Sequence, residues 1–260
     1  TQNYGTEKFE SGYDMILGSD NSVYMTGTYR DAEFSNADVG ILKVSQNGEA
    51  QWQKHYGEAG DDIGLAVVQA QDDNILVAGW TNSATLGEED ILLLKLNQAG
   101  DSLWQKTIGG SGSERCLALL QCSDGGLLMA GYQFLGFEQN KDLYLVKTDD
   151  QGNIIWEASY GGQYNEVAHD IVESPDGGFL VAGTTESFSQ GGNDFYLIKI
   201  DEHGEELWSK TFGGVSHDYA NAVTIAENGD IILAGYTYSQ GNGVSDLFII
   251  RTDSSPPENP

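Results

Sequence analysis

Glu10, Asp62, Glu114, Glu166 and Asp218 recur at a spacing of 52 residues, one carboxylate at the head of each of five similar segments. Five carboxylates drawn into one narrow mouth would raise one another's pKa values or hold a hard cation through oxygen ligands; Ca²⁺ is the cofactor this pattern suggests. The same recurrence has a structural reading, because a carboxylate ahead of a strand accepts backbone N–H groups from its neighbour. Two and four residues further on come small side chains: Gly12, Gly64, Cys116, Ala168 and Ala220, then Ala66, Ala118 and Ala222. Asp14 and Asp170 break that second column, and with Glu166 or Glu10 either could form the acid/base pair of a hydrolase. His55, His169, His203 and His217 stand at different places in their segments and assemble no nucleophile–base constellation by spacing.

Binding chemistry has a second set of candidates. Tyr29, Phe34, Trp80, Phe134, Phe137, Phe188, Tyr236 and Tyr238 lie in or beside the stretches that differ most between segments: 29–37, 81–89, 132–141, 184–193 and 236–245. Aromatic rings on variable loops can stack on sugars or anchor a protein partner.

What must position these residues is a repeat. Trp52, Trp104, Trp156 and Trp208 keep the same spacing, as do Asp38, Asp90, Asp142, Asp194 and Asp246, and Gly27, Gly79, Gly131, Gly183 and Gly235. Within one unit, 63–69, 74–80, 91–96 and 102–108 are short apolar or β-branched runs bounded by Gly, Asp and Asn, which predicts four strands and no helix. Four-stranded meanders repeated without gaps predict an all-β, five-bladed β-propeller over 1–253, with a Pro-rich tail or linker at 254–260. Residues 1–5 align with the end of a fourth strand, at 53–57, and are expected to pair with 247–251 and close the ring. The invariant Asp series at the head of the third strands then reads as a hydrogen-bonded corner, and the Trp series as packing between blades.

Composition narrows the partners. Forty Asp and Glu against 12 Lys and Arg give a net charge of −28, which repels phosphate backbones and anionic membranes and excludes nucleic acid. No apolar run is long enough to span a bilayer, and Thr1 opens the chain without a signal-like segment, as expected of an exported product whose leader is removed. Cys116 and Cys122, six residues apart on one strand, cannot pair and read as buried free thiols.

The run from Asp90 through Ile-Leu-Leu-Leu-Lys-Leu to Gly100, Trp104 and Gly109-Gly110, with its copies from Asp142 and Asp194, resembles the secreted β-propeller repeats of large exported proteins of Gram-negative bacteria. Such proteins often carry a C-terminal sorting domain, so the resemblance implies a multidomain parent and a secreted or cell-surface location. The order Asp149, Gly152, Trp156 is also similar to the tryptophan-docking repeats of quinoprotein dehydrogenases and outer-membrane assembly lipoproteins. The resulting expectation is a non-catalytic module that recognises a glycan or a protein through its variable loops. A purely structural repeat domain and a glycoside hydrolase-like enzyme with axial carboxylates are the alternatives.

Overall fold

The computed structural model describes residues 3–5, 8–33, 35–83, 85–134 and 140–257. Among them no helix forms, and nineteen strands gather into five antiparallel sheets, as expected of an all-β repeat. The chain divides into two compact units, 1–121 and 122–260.

In the first unit, β1 (Phe9–Leu17), β2 (Val23–Arg30), β3 (Asp38–Val44) and β4 (Ala50–Tyr56) form one meander. A second follows in β5 (Asp62–Gln69), β6 (Ile75–Thr81), β7 (Asp90–Leu96) and β8 (Ser102–Ile108), and β9 (Ser113–Gln121) ends the unit. Each new first strand lies across the preceding sheet, β5 over β1–β3 and β9 over β5–β7. That face-to-face stacking buries Tyr24, Val39 and Ile41 against Val67, Val77 and Leu94.

The second unit opens with β10 (Leu127–Phe134), β11 (Lys141–Thr148) and β12 (Ile154–Tyr160). It continues with the four-stranded sheet β13 (Glu166–Glu173), β14 (Phe179–Thr185), β15 (Asp194–Ile200) and β16 (Glu206–Phe212). The last sheet has three strands, β17 (Asp218–Ile225), β18 (Ile231–Thr237) and β19 (Asp246–Thr252). Here β13 packs on β10 and β11, and β17 on β13–β15, joining Leu180, Phe195 and Leu197 to Ala220, Val223 and Leu233.

Residue chemistry explains the recurring columns. The third strands β7 and β15 are buried along their whole length, which is why they read as unbroken apolar runs rather than alternating ones. Four of the first strands, β1, β5, β13 and β17, carry a bulge, between Gly12 and Asp14, Gly64 and Ala66, Ala168 and Asp170, and Ala220 and Ala222. The glycine opposite it admits no side chain: a Cβ at Gly27, Gly79, Gly183 or Gly235 would collide with the carbonyl oxygen of Ser11, Ile63, Val167 or Tyr219. The turns between third and fourth strands place Gly48, Gly100, Gly152 and Gly204 at φ of 81°, 77°, 70° and 84°, the left-handed region glycine enters at no steric cost.

A fourth column is ionic. Lys43, Lys95, Lys147 and Lys199 are buried in the third strands, and each reaches a turn aspartate 23 residues earlier: Asp20 at 2.8 Å, Asp72 at 2.7 Å, Asp124 at 2.9 Å and Asp176 at 2.5 Å. The Lys199 hydrogen bond, then that of Ser174, holds Asp176 below the usual carboxylate range. For Asp20, Asp72 and Asp124 burial acts upward, but the lysine and backbone hydrogen bonds outweigh it, so they too are lowered. A depressed folded pKa means stability that is present above the unfolded value of about 3.9 and is lost as pH falls through the folded values. The unfolding free energy is therefore expected to fall steeply below pH of about 4. Asp124→Ala, which strands the buried Lys147, is expected to cost about 2–3 kcal/mol in urea unfolding at pH 7, at the low end for a broken buried pair because Asp124 itself faces water.

One expectation is corrected. Residues 3–5 lie in no strand and β19 ends a three-stranded sheet, so among the described residues no N-terminal strand pairs with 247–251. The segment is used otherwise: the Tyr4 hydroxyl donates to Gly48 O at 2.8 Å, capping the turn between β3 and β4. Tyr56 and Tyr160 make the same bond to Gly100 O and Gly204 O, and Trp52 and Trp156 donate to the neighbouring carbonyls of Gln98 and Glu202 at 3.2 and 3.0 Å. Cys116 and Cys122 are buried thiols outside any disulfide, as expected, and burial pushes the Cys122 thiol up to about 12.

Candidate active site

The five acids at the heads of the first strands are not equivalent. Asp62, Glu114, Glu166 and Asp218 are at most 2 % exposed, and each accepts a backbone N–H from the chain just before its strand: Glu58, Gly110, Gly162 and Gly214 donate at 2.9–3.0 Å. Ser83 and Ser239 hydroxyls add bonds of 2.7 Å to Asp62 and Asp218, and Thr185 one of 2.7 Å to Glu166. Glu10 alone is half-exposed. Among the described residues, no group of three or more His, Cys, Asp or Glu side chains is placed to hold a metal.

Strand register lines these acids up with the invariant aspartates. In the second, fourth and fifth repeats a threonine stands between them, giving the cross-strand rows Asp62–Thr81–Asp90, Glu166–Thr185–Asp194 and Asp218–Thr237–Asp246. These threonines are at most 1 % exposed and cap the following loop, accepting the N–H of Ser83, Phe188 and Ser239. The first repeat places Tyr29 there instead, in the row Glu10–Tyr29–Asp38.

Two further columns break in the same repeat. Position 40 is glycine where the others carry Leu92, Tyr144, Tyr196 and Phe248, and position 55 is histidine where they carry Thr107, Ser159 and Thr211. Gly40 pairs with His55 in the ladder and, having no side chain, lets Tyr29 lean across it. The Tyr29 and His55 rings stack at 4.4 Å and 7°. Beside them a groove of about 360 Å³ runs over the sheet, lined by Tyr4, Glu10, Met25, Tyr29, Gly40 and Gln53.

Asp38, half-buried, is raised above its ordinary value, first by burial and then by the Asp62 and Asp31 carboxylates, with His55 acting in the opposite direction. Opposite residues on adjacent strands are 4.7–4.9 Å apart, so Glu10 and Asp38 flank Tyr29 with about 9–10 Å between their backbones. Their side chains share one face of the sheet.

The axial aspartates do different work. Asp14 accepts Met15 N at 2.8 Å and Val67 N at 2.9 Å, and Asp170 accepts Ile171 N and Val223 N, both at 2.8 Å. Both clip one first strand to the next at its bulge. The other expected aromatics are dispersed. Trp80 lies under the Arg115 guanidinium at 4.2 Å, Phe134 meets Tyr132 edge-on at 5.7 Å, and Phe188 sits 5.6 Å from Tyr196. Tyr236 and Tyr238, 5.8 Å apart, continue a stack with Tyr219. Phe34 and Phe137 lie outside the described residues. Among the described residues, Glu10 and Tyr29 of the expected site residues line this groove, with Gly40; the broken columns at 40 and 55 are visible in the aligned repeats.

The architecture is that of a propeller-type repeat, and solved structures share it. The chain superposes on an α-L-arabinanase of Penicillium chrysogenum with a TM-score of 0.59, at 14 % identity over 91 % of this chain and 76 % of that one. It superposes on an ulvan lyase of polysaccharide lyase family 25 with a TM-score of 0.55, at 11 % identity over 94 % and 64 %. An endo-arabinase of Bacteroides thetaiotaomicron gives 0.51, at 11 % identity over 96 % of both chains. In sequence, the chain is 26 % identical to the regulatory protein FlaEY of Caulobacter vibrioides over 186 residues, which are 62 % of this chain and 19 % of that protein. No family model matches. These likenesses at low identity carry the fold. They also correct the expectation of a non-catalytic binding module, since the architecture is the one used by these three glycan-acting enzymes.

Proposed function

We propose that this chain is a glycan-processing hydrolase whose acid/base machinery is the row Glu10–Tyr29–Asp38. The observation that carries the reading is the coincident break of the repeat: Tyr29, Gly40 and His55 all depart from their columns in the one sheet where both row carboxyls reach solvent. The likeness to arabinanases and a polysaccharide lyase supports glycan as the substrate class, which in turn fits a secreted or surface-exposed protein.

The chemistry follows from the two carboxyl environments. Asp38, whose protonated form burial favours, gives its proton to the leaving glycosidic oxygen as the C–O bond breaks. Glu10, as carboxylate, takes a proton from the water that adds to the anomeric carbon. The Tyr29–His55 stack offers a flat apolar surface for a sugar ring.

The test is turnover of arabinan, β-1,3-galactan and ulvan by the purified chain, read as new reducing ends. Gly40→Leu restores the residue type of the second repeat, fills the groove and leaves both carboxyls in place. It is expected to keep the melting temperature and remove turnover by about 10²-fold or more. Full activity in that variant, or no turnover of any glycan by the parent chain, would refute the assignment.

A further inference from the structure

One more column breaks in the first repeat. Position 31 carries aspartate where the second, fourth and fifth repeats carry Ser83, Ser187 and Ser239. In those repeats the serine serves the acid at the head of its own sheet. The Ser83 and Ser239 hydroxyls donate to Asp62 and Asp218 at 2.7 Å, and Ser187 N donates to Glu166 at 2.9 Å. An ionised aspartate only accepts, so Asp31 cannot give Glu10 the hydroxyl bond that Ser83 gives Asp62. It turns to Tyr29 and Lys8 instead. The Tyr29 hydroxyl donates to Asp31 Oδ1 at 3.0 Å, and Lys8 Nζ lies 3.4 Å from the same oxygen. The Tyr29 bond first, and then that of Lys8, holds Asp31 below the usual carboxylate range, so it is charged at neutral pH.

The outcome is a negative field beside a groove built for uncharged groups. Three carboxyls converge on the ring offered to the sugar: the Tyr29 hydroxyl is raised first by the Asp31 hydrogen bond, then by desolvation and the charges of Asp31, Glu10 and Asp38. Lys8, the cation beside them, is engaged by Asp31. Among the described residues that line the groove none is Lys or Arg; Thr28 and Gln53 are neutral and polar, Met25, Gly40 and Leu42 apolar, and Glu10 is anionic. Hydroxyl and amide groups exchange hydrogen bonds with sugar hydroxyls, while the apolar walls and the aromatic ring take the C–H face of a pyranose or furanose. A sulfate or uronate brought into the same place meets like charges, and such juxtaposition is how a site turns a wrong partner away.

We propose that the groove takes an uncharged glycan, and that Asp31 is the specificity-determining residue that excludes sulfated or uronate-bearing chains. The inference rests on the glycan-processing reading for its substrate class and adds the charge that class must have.

The experiment uses the full chain and polymers that share a backbone but differ in charge: linear arabinan and β-1,3-galactan, each against its sulfated derivative. Binding is read by calorimetry and turnover by new reducing ends. In about 20 mM NaCl the neutral polymer is expected to bind about 10²-fold more tightly than its sulfated counterpart, and in about 0.5 M the gap should shrink to about tenfold or less, because salt screens exposed charges. Asp31→Asn keeps an acceptor for the Tyr29 hydroxyl and leaves the Lys8 charge uncompensated. It is expected to narrow the low-salt gap by about tenfold, and Asp31→Ser, the residue of the second repeat, should narrow it likewise. Equal binding of the two polymers would overturn the proposal. So would a gap that neither variant moves, which would lay the selection to the net charge of −28 as a whole. Preferential binding of the neutral polymer without turnover would uphold the charge selection and refute the hydrolase reading alone; binding of neither polymer would overturn both.

Discussion

Asp38→Asn is expected to lower kcat/KM on the polysaccharide that is turned over by about 10²–10⁴-fold, the contribution of a positioned general acid. Asparagine keeps the shape and removes only the transferable proton. The pH profile carries the sharper signature. Asp38 is raised chiefly by burial, so the protonated form that donates persists above the usual carboxylate range, and the rate should fall as pH rises through that raised value. In Asp38→Asn this alkaline limb disappears. Stability should move the other way. A carboxyl whose folded pKa is raised favours the fold only as pH drops through it, so its neutral replacement costs nothing at pH 7 and should leave the melting temperature unchanged or slightly higher. Loss of stability with the alkaline limb retained would mark Asp38 as a structural corner, like Asp90.

The fold was legible because the repeat has no gaps. With every column aligned, the Trp, Asp and Gly series marked equivalent places in five sheets, and the second-repeat strands fall within one residue of their expected bounds. The candidate site was half legible for the same reason. Columns were read for what recurs, so Glu10 was grouped with four buried carboxylates from which it differs only by its exposure. The departures at 29, 40 and 55 carry the site, but that they meet depends on the β2–β3 and β3–β4 registers, which set Tyr29 beside Asp38 and Gly40 beside His55. Departure alone is not sufficient. Asp14 and Asp170 also break a column, and both spend their oxygens on backbone N–H groups of the next first strand. The Lys–Asp latches were invisible for a related cause: partners 23 residues apart meet only through a strand pairing.

The glycine column itself is expected to give the largest loss of stability. Gly183 sits in β14, an inner strand of the fourth sheet buried along its whole length, opposite the bulge of β13. A methyl group there would overlap Val167 O and lie 2.9 Å from Val167 C and 3.0 Å from Ala168 Cα. All three are backbone atoms of a paired strand, so no side chain can rotate away and the sheet must open. Overpacking of this kind costs about 3 kcal/mol or more, equivalent to a fall of roughly 6–12 °C in a domain of this size. The opposing term is smaller: alanine restricts the unfolded chain and would by itself stabilise by about 0.4–1 kcal/mol. Gly110→Ala supplies the control, because its Cβ would meet only Glu114 Oε1, at 3.9 Å, and its φ is not in the left-handed region. Urea unfolding should therefore show Gly183→Ala strongly destabilised and Gly110→Ala within about 0.5 kcal/mol of the parent. If both variants behave alike, the glycine column owes its invariance to chain flexibility and not to the bulge it faces.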